Sequence, residues 1–197
     1  LRELVSMHQQ TSDSDEFLEN IKTDLFEQEI YVFTPKGEVK EFPDGATPID
    51  FAYSVHTDIG SRIVAARVNG KLIPLRSPLR NGDTVEVITS KTQVPSKDWL
   101  KFCVTSKAKS RIRAYIQNEE KKRALQIGRE LLEKHFRKNG YNLQKTLKPE
   151  MVLGTPELRR TGANDIEDLF VRVGYGRLLP AQVFDALDLK ESKEQPT

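Results

Sequence analysis

The sequence is poor in the residues that build metal-held or disulfide-held scaffolds. Its 197 residues include one cysteine, Cys103, and three histidines, His8, His56 and His135. A single thiol closes no internal disulfide and supplies no zinc cluster. The histidines lie far apart, and none has a second ligand three or four residues on along a credible face, so no metal site is expected. No apolar run approaches the roughly 18 residues of a membrane helix. Leu1-Arg2-Glu3-Leu4 opens no secretory signal, because acid and amide residues follow at once. With one unpaired cysteine, a reducing cytoplasmic setting is the expectation. The chain also lacks an initiator Met and reads as a piece of a longer protein. There is no serine nucleophile elbow, no phosphate-binding glycine loop and no His-Glu-x-x-His. Asp13/Asp15 and Asp165/Glu167 sit at expected helix caps, where a structural role suffices. Cys103, between Phe102 and Val104, reads as core filler. No catalytic residue and no cofactor are expected.

What is present is an uneven distribution of charge. The formal net charge is +2, from 31 basic and 29 acidic residues. Residues 1–30 carry 2 basic and 8 acidic side chains, and residues 31–90 carry 7 of each. Residues 91–150 carry 16 basic and 6 acidic, net +10, and residues 151–197 carry 6 and 8. Only the third block could be an electrostatic footprint for a phosphate backbone. The plain alternative is the solvated face of a helix.

The hydrophobic period changes twice along the chain. Residues 1–29 read as the tail of one helix and then a second, acidic helix carrying Phe17, Leu18, Ile21 and Leu25 on one face. From Ile30 the pattern becomes β-like. Ile30–Thr34 and Glu38–Phe42 form a hairpin around Pro35-Lys36-Gly37. Thr47-Pro48 places an N-cap before a proline at the first helical position. That helix carries Ile49, Phe51, Ala52 and Val55, with His56 near its end and Thr57–Gly60 as its stop. Arg62–Val68, a short Lys71–Leu75 and Val85–Thr89 are strands. Asn69-Gly70 is the preferred two-residue hairpin turn. Pro74 argues for an edge. One sheet with one packed helix over residues 30–90 is a small α+β, β-grasp arrangement. After Lys91 the strand signals stop. A short turn at Trp99–Phe102 precedes a helix capped by Thr105 or Ser106 and a longer one over Glu120–Lys138. Further helices are expected at Leu147–Leu153, after Asn164-Asp165, and after Leu179-Pro180. The expected organisation is a helical tail at 1–29, the β-grasp domain at 30–90, an all-α domain at 91–189 and a linker at 190–197.

The runs Tyr31-Val32-Phe33-Thr34-Pro35-Lys36-Gly37, Phe51-Ala52-Tyr53-Ser54-Val55-His56-Thr57-Asp58-Ile59-Gly60 and Asn81-Gly82-Asp83 through Thr89 resemble a TGS domain. Followed by Pro95–Arg113, they resemble most closely the TGS region of the long Rel/SpoT alarmone enzymes. Asp13–Glu19 and Asp24-Leu25-Phe26 resemble the join to a synthetase domain. The resemblance covers residues 1–140 best. It implies a family that makes ppGpp and pppGpp by pyrophosphate transfer and hydrolyses them in a His-Asp metal domain, with both catalytic domains upstream. None of the three histidines here precedes an aspartate, so this stretch would be the non-catalytic, regulatory half. The resemblance further implies that the TGS domain senses the 3′-CCA end of uncharged tRNA on a stalled ribosome, through His56. Arg62 would reach phosphate, and Tyr53 and Thr57 flank the site. An imidazole can stack on an unstacked base or hydrogen-bond its edge or the ribose. The competing role for His56 is a helix-end histidine that favours the dipole. Lys107, Lys109, Arg111, Arg113, Lys121, Lys122 and Arg123 are the candidates for RNA backbone. The alternative function is an intramolecular or protein-docking control element, engaging the upstream catalytic domains or acyl carrier protein, with no membrane partner.

Overall fold

In the computed structural model, residues 29–187 are described; the helices expected within 1–28 and the linker at 190–197 lie outside them. The chain divides into two compact units after Ile116.

In the first unit, the β-branched and aromatic run at the start makes strand β1 (Glu29–Phe33), which turns back into β2 (Val39–Pro43). They pair antiparallel, with Ile30 opposite Phe42 and Val32 opposite Lys40. Helix α1 (Pro48–Val55) follows, then a second helix α2 (Thr57–Arg62). Strands β3 (Ile63–Val68), β4 (Lys71–Ile73) and β5 (Val85–Thr89) form an antiparallel sheet with β3 in the middle. β4 is an edge strand and ends just before Pro74, whose ring offers no N–H to a ladder. Asn69 and Gly70 both take positive φ, 51° and 81°, as a type I′ turn requires. The hairpin and the three-stranded sheet touch through one parallel bridge, Phe33 to Thr84. Backbone hydrogen bonds from Phe33 N to Asp83 O (2.8 Å) and Gly82 N to Tyr31 O (2.7 Å) reinforce it. The β-grasp sheet is therefore split into two and three strands rather than continuous.

β1 buries alternate residues, Ile30 and Val32, and α1 is buried along Pro48–Tyr53. One cluster gathers Ile30, Val32, Phe42, Phe51, Val68 and Val85. A second gathers Ile49, Ala52, Tyr53 and Ile63 with Trp99, Cys103, Ala108 and Ile112. Thus the 3-10 turn Lys97–Lys101 and the first turns of helix α3 (Ser106–Lys138) belong to the first compact unit, although the sequence after Lys91 reads as all-helical. A buried carboxylate fixes this junction. Asp50 is 1% exposed. Its Oδ2 accepts from Thr47 N (2.8 Å) and Thr47 Oγ1 (2.9 Å), closing the N-terminus of α1. Its Oδ1 accepts from Thr105 N (2.9 Å) and Thr105 Oγ1 (2.7 Å), and Val104 N lies 3.2 Å away. Multiple hydrogen bonds to one carboxylate offset the cost of taking it out of water.

Cys103 sits in the same cluster. Burial, with the Asp50 carboxylate beside it, pushes its thiol up to about 12. The unfolded thiol loses its proton near pH 9, so ionisation favours unfolding. Its contribution is fully present below pH 9 and is lost as pH rises toward 12. We expect the urea midpoint of the wild-type chain to fall more between pH 8 and 10 than that of Cys103→Ala. The slope of the difference should approach about 1.4 kcal/mol per pH unit. Parallel curves would show that the thiol is not held protonated.

α3 is one helix of 33 residues, where the sequence suggests two. Gln117–Glu120 contains no glycine or proline, and helix-forming side chains carry the backbone through. In the second unit its C-terminal part packs with α4 (Leu143–Thr146), α5 (Pro149–Gly154), α6 (Pro156–Arg159), α7 (Ile166–Gly174) and α8 (Pro180–Ala186). The core includes Leu132, Phe136, Val152, Leu158, Leu169 and Val183. Two glycines set the α3–α7 crossing. A Cβ on Gly128 would overlap the Phe170 carbonyl, and one on Gly174 would overlap the Ala124 carbonyl. Phe184 packs edge-on against Phe136 (5.2 Å), His135 (5.5 Å) and Tyr141 (5.5 Å).

Candidate functional site

His56 is the corner between α1 and α2. Thr57–Gly60 looks like a helix stop in the sequence, yet a new helix starts there, because His56 closes one helix and opens the next. Its backbone is extended (φ −160°, ψ 147°). Its N–H donates to Ala52 O (3.2 Å), its carbonyl accepts from Gly60 N (3.0 Å), and its Nδ1 accepts from Asp58 N (3.2 Å). The side chain remains 66% exposed. A ring fixed on one edge and open on the other is suited to contacting a ligand. Its ring caps the start of α2, while its backbone N–H closes α1.

The neighbours divide by exposure. Arg62, the last residue of α2, is exposed, and Thr57 is half-buried. Tyr53 is a correction. It is fully buried, its ring lies against the Gly60 backbone, and its hydroxyl is 3.4 Å from Ser61 Oγ. Burial pushes the phenol above its ordinary range, with Ser61 opposing. A ring that supports α2 from beneath cannot touch an RNA base. The signal was available: Ile49, Ala52 and Tyr53 fall three and four residues apart, the spacing of one buried helix face.

The basic candidates all lie on α3. Lys107, Arg111 and Arg113 are exposed and Lys109 is half-buried; Lys121, Lys122 and Arg123 are exposed. At 3.6 residues per turn, Lys107 shares a face with Arg111, and Lys109 with Arg113. Lys121, Lys122 and Arg123 are consecutive and splay around the helix. They form no single stripe. Lys107 Nζ leans toward Ser54 O (3.4 Å), near the C-terminus of α1. Lys122 Nζ pairs with Glu119 Oε1 (2.8 Å) at the surface, a contact worth little.

Among the described residues no group of three His, Cys, Asp or Glu side chains could hold a metal ion. No described helix is long and apolar enough to cross a membrane. A groove flanks the corner, lined by Phe51, Val55, Ile59, Val85 and Val87 and by the polar Thr34, Lys36, Glu38 and Thr89.

Comparison with known proteins matches residues 30–89 to the TGS domain family and residues 115–188 to the RelA/SpoT AH domain family. The chain is 47% identical over 184 residues to a GTP pyrophosphokinase of Myxococcus xanthus, covering 93% of this chain and 24% of that protein. It is 42% identical over 187 residues to a probable guanosine-3′,5′-bis(diphosphate) 3′-pyrophosphohydrolase of Synechocystis, covering 95% and 24%. It is 39% identical over 189 residues to the bifunctional (p)ppGpp synthase/hydrolase RelA of Mycobacterium tuberculosis, covering 95% and 25%. The chain thus spans about a quarter of the length of these relatives. The β-grasp sheet of the first unit is thus a TGS domain, and the helices that follow form a RelA/SpoT AH domain.

Proposed function

We propose that the chain is the regulatory, non-catalytic TGS–AH region of a (p)ppGpp synthetase/hydrolase. In this reading its TGS surface at His56 senses the free 3′-CCA end of uncharged tRNA on a stalled ribosome and passes that state to upstream catalytic domains. The exposed, edge-anchored imidazole of His56 carries the reading. Arg62 stands exposed at the far end of the same short helix and supplies a cation for phosphate. A contact at the terminal ribose excludes an end that bears an acyl group, so charged tRNA is rejected by bulk. The α3 basic residues add salt-dependent, sequence-blind attraction.

The test compares uncharged tRNA, aminoacyl-tRNA and tRNA lacking CCA on ribosomes with an empty A site, at two salt concentrations. Wild type should prefer the uncharged form. His56→Ala should reduce that preference by about tenfold, the size of one lost hydrogen bond to a charged or well-oriented partner. Equal binding of all three tRNAs by wild type would reject the sensor. The groove beside the corner favours a second reading, a docking site for acyl carrier protein or the catalytic half. Binding of that kind would need no free 3′ end.

A further inference from the structure

We infer that His56 is a hydrogen-bond donor of fixed polarity: the Asp58 amide holds its Nε2–H outward, so the ligand atom it meets is an acceptor oxygen. This rests on the reading of His56 as the contact to the RNA end. The shared chemistry of the ligand is a ribose hydroxyl oxygen or the adjoining phosphate oxygen of the terminal nucleotide.

The argument starts from the backbone. The first amides of a helix need acceptors. In α2 the Asp58 amide finds one in the Nδ1 of its own N-cap residue, at 3.2 Å. A nitrogen that accepts an N–H carries no proton, so the proton of the neutral imidazole is on Nε2. Turning the ring over would present a carbon to Asp58 N. Moving the proton to Nδ1 would set one N–H against another. The backbone that carries the ring is fixed, because His56 N and O are both tied, to Ala52 and Gly60, and the Asp58 amide orients the ring on it. Asp58 is therefore a positioning residue through its amide. Its carboxylate lies 3.9 Å from Nδ1, on the anchored edge of the ring, and both side chains are exposed. The free edge has donor character alone. Histidine is a rare N-cap, where Ser, Thr, Asp and Asn are the usual choices. Those residues would satisfy Asp58 N equally well, but none reaches as far as Nε2 with a second polar atom that is an N–H donor.

Two substitutions separate the two edges of the ring. His56→Asn keeps an oxygen for Asp58 N but is too short to place a donor where Nε2 lies. His56→Gln can place an amide N–H near that point but caps poorly. In the 197-residue chain, ¹⁵N NMR of the imidazoles should show the Nε2–H tautomer at His56. His56→Asn should keep the wild-type thermal midpoint and lose about tenfold in binding of uncharged tRNA on ribosomes with an empty A site. His56→Gln should bind better than His56→Asn despite a lower midpoint. Among RNA arms, weaker binding of tRNA ending in 2′-deoxy- or 3′-deoxyadenosine assigns the oxygen to a hydroxyl, and unchanged binding assigns it to phosphate. An Nδ1–H tautomer in the free chain overturns the proposal, as does wild-type binding by His56→Asn with failure of His56→Gln. The tautomer is read without RNA. An Nε2–H ring with no tRNA preference in any variant therefore points to failure of the sensor reading, and removes the acceptor assignment with it.

Discussion

Gly128→Ala should unfold the helical unit while leaving the β-grasp unit standing. The added methyl group would occupy the position of the Phe170 carbonyl. That atom is backbone in the middle of α7, so no side chain can swing aside. Relief requires α3 and α7 to separate, which would open the core that Leu132, Leu169 and Val173 share. Overpacking in a well-packed core costs about 1–3 kcal/mol, and a backbone obstacle on both helices places this case at or above the upper end. Gly174→Ala meets the Ala124 carbonyl and should behave alike. Gly154→Ala is the control. Nothing lies within 4 Å of its Cβ position, so it should be neutral or stabilising by a few tenths of a kcal/mol to about 1 kcal/mol. The sequence provides its own reporter. Trp99 is the single tryptophan and lies in the first unit, 6% exposed. Gly128→Ala should lose helical circular dichroism at temperatures where Trp99 fluorescence is still native. A wild-type circular dichroism melt would refute the close crossing.

Asp50→Ala should give the opposite pattern, with Trp99 exposed first. The substitution leaves the amides of Val104 and Thr105 and the hydroxyls of Thr47 and Thr105 without their acceptor. Removing the centre of a buried polar network costs about 3–5 kcal/mol. Asp50→Asn should recover little, since an amide offers one acceptor oxygen and turns an NH₂ toward donors. Thr105→Val removes one O–H···carboxylate bond and should cost about 1.5–3 kcal/mol. Chemical denaturation followed at Trp99 reads all three. An Asp50→Ala midpoint within error of wild type would show that the 104–105 segment is held by apolar contacts alone.

Asp50 has a long-range role that leaves no local trace in the sequence. As an acid in the first turn of a helix it looks like an ordinary dipole partner. Its second oxygen serves residues 54 and 55 positions further on, and no local pattern reports such a contact. The same applies to the boundary of the first unit. Trp99, Cys103 and Ile112 are apolar in a helical period, and that period states only that they are buried, not against what. Where a feature depends on neighbours in the chain, the sequence reading matched the structure closely. Val85–Thr89 is a strand with those limits, Asn69-Gly70 takes the positive φ values its type requires, and Thr47-Pro48 starts α1. The misreading of Thr57–Gly60 has a mixed cause. Threonine and glycine are poor helix formers, but the His56 ring supplies the cap and the missing Gly60 Cβ makes room for Tyr53. The motif singled out His56 and the structure gives it an anchored, exposed ring. The same motif named Tyr53, whose role is to fill space beneath.

Phe184 has a consequence for the order of folding during synthesis. It is the ring on which His135, Phe136 and Tyr141 converge, and it lies in α8, the last described helix. Among the described residues the core of the first unit draws on none beyond Ile116, so it can consolidate as soon as that part of the chain has left the ribosome. The helical unit must wait for the residues around position 184. During that interval Leu132 and Phe136 are without their final cover, so a chain that stops short of Phe184 would hold a finished β-grasp unit joined to a sticky, unclosed helix.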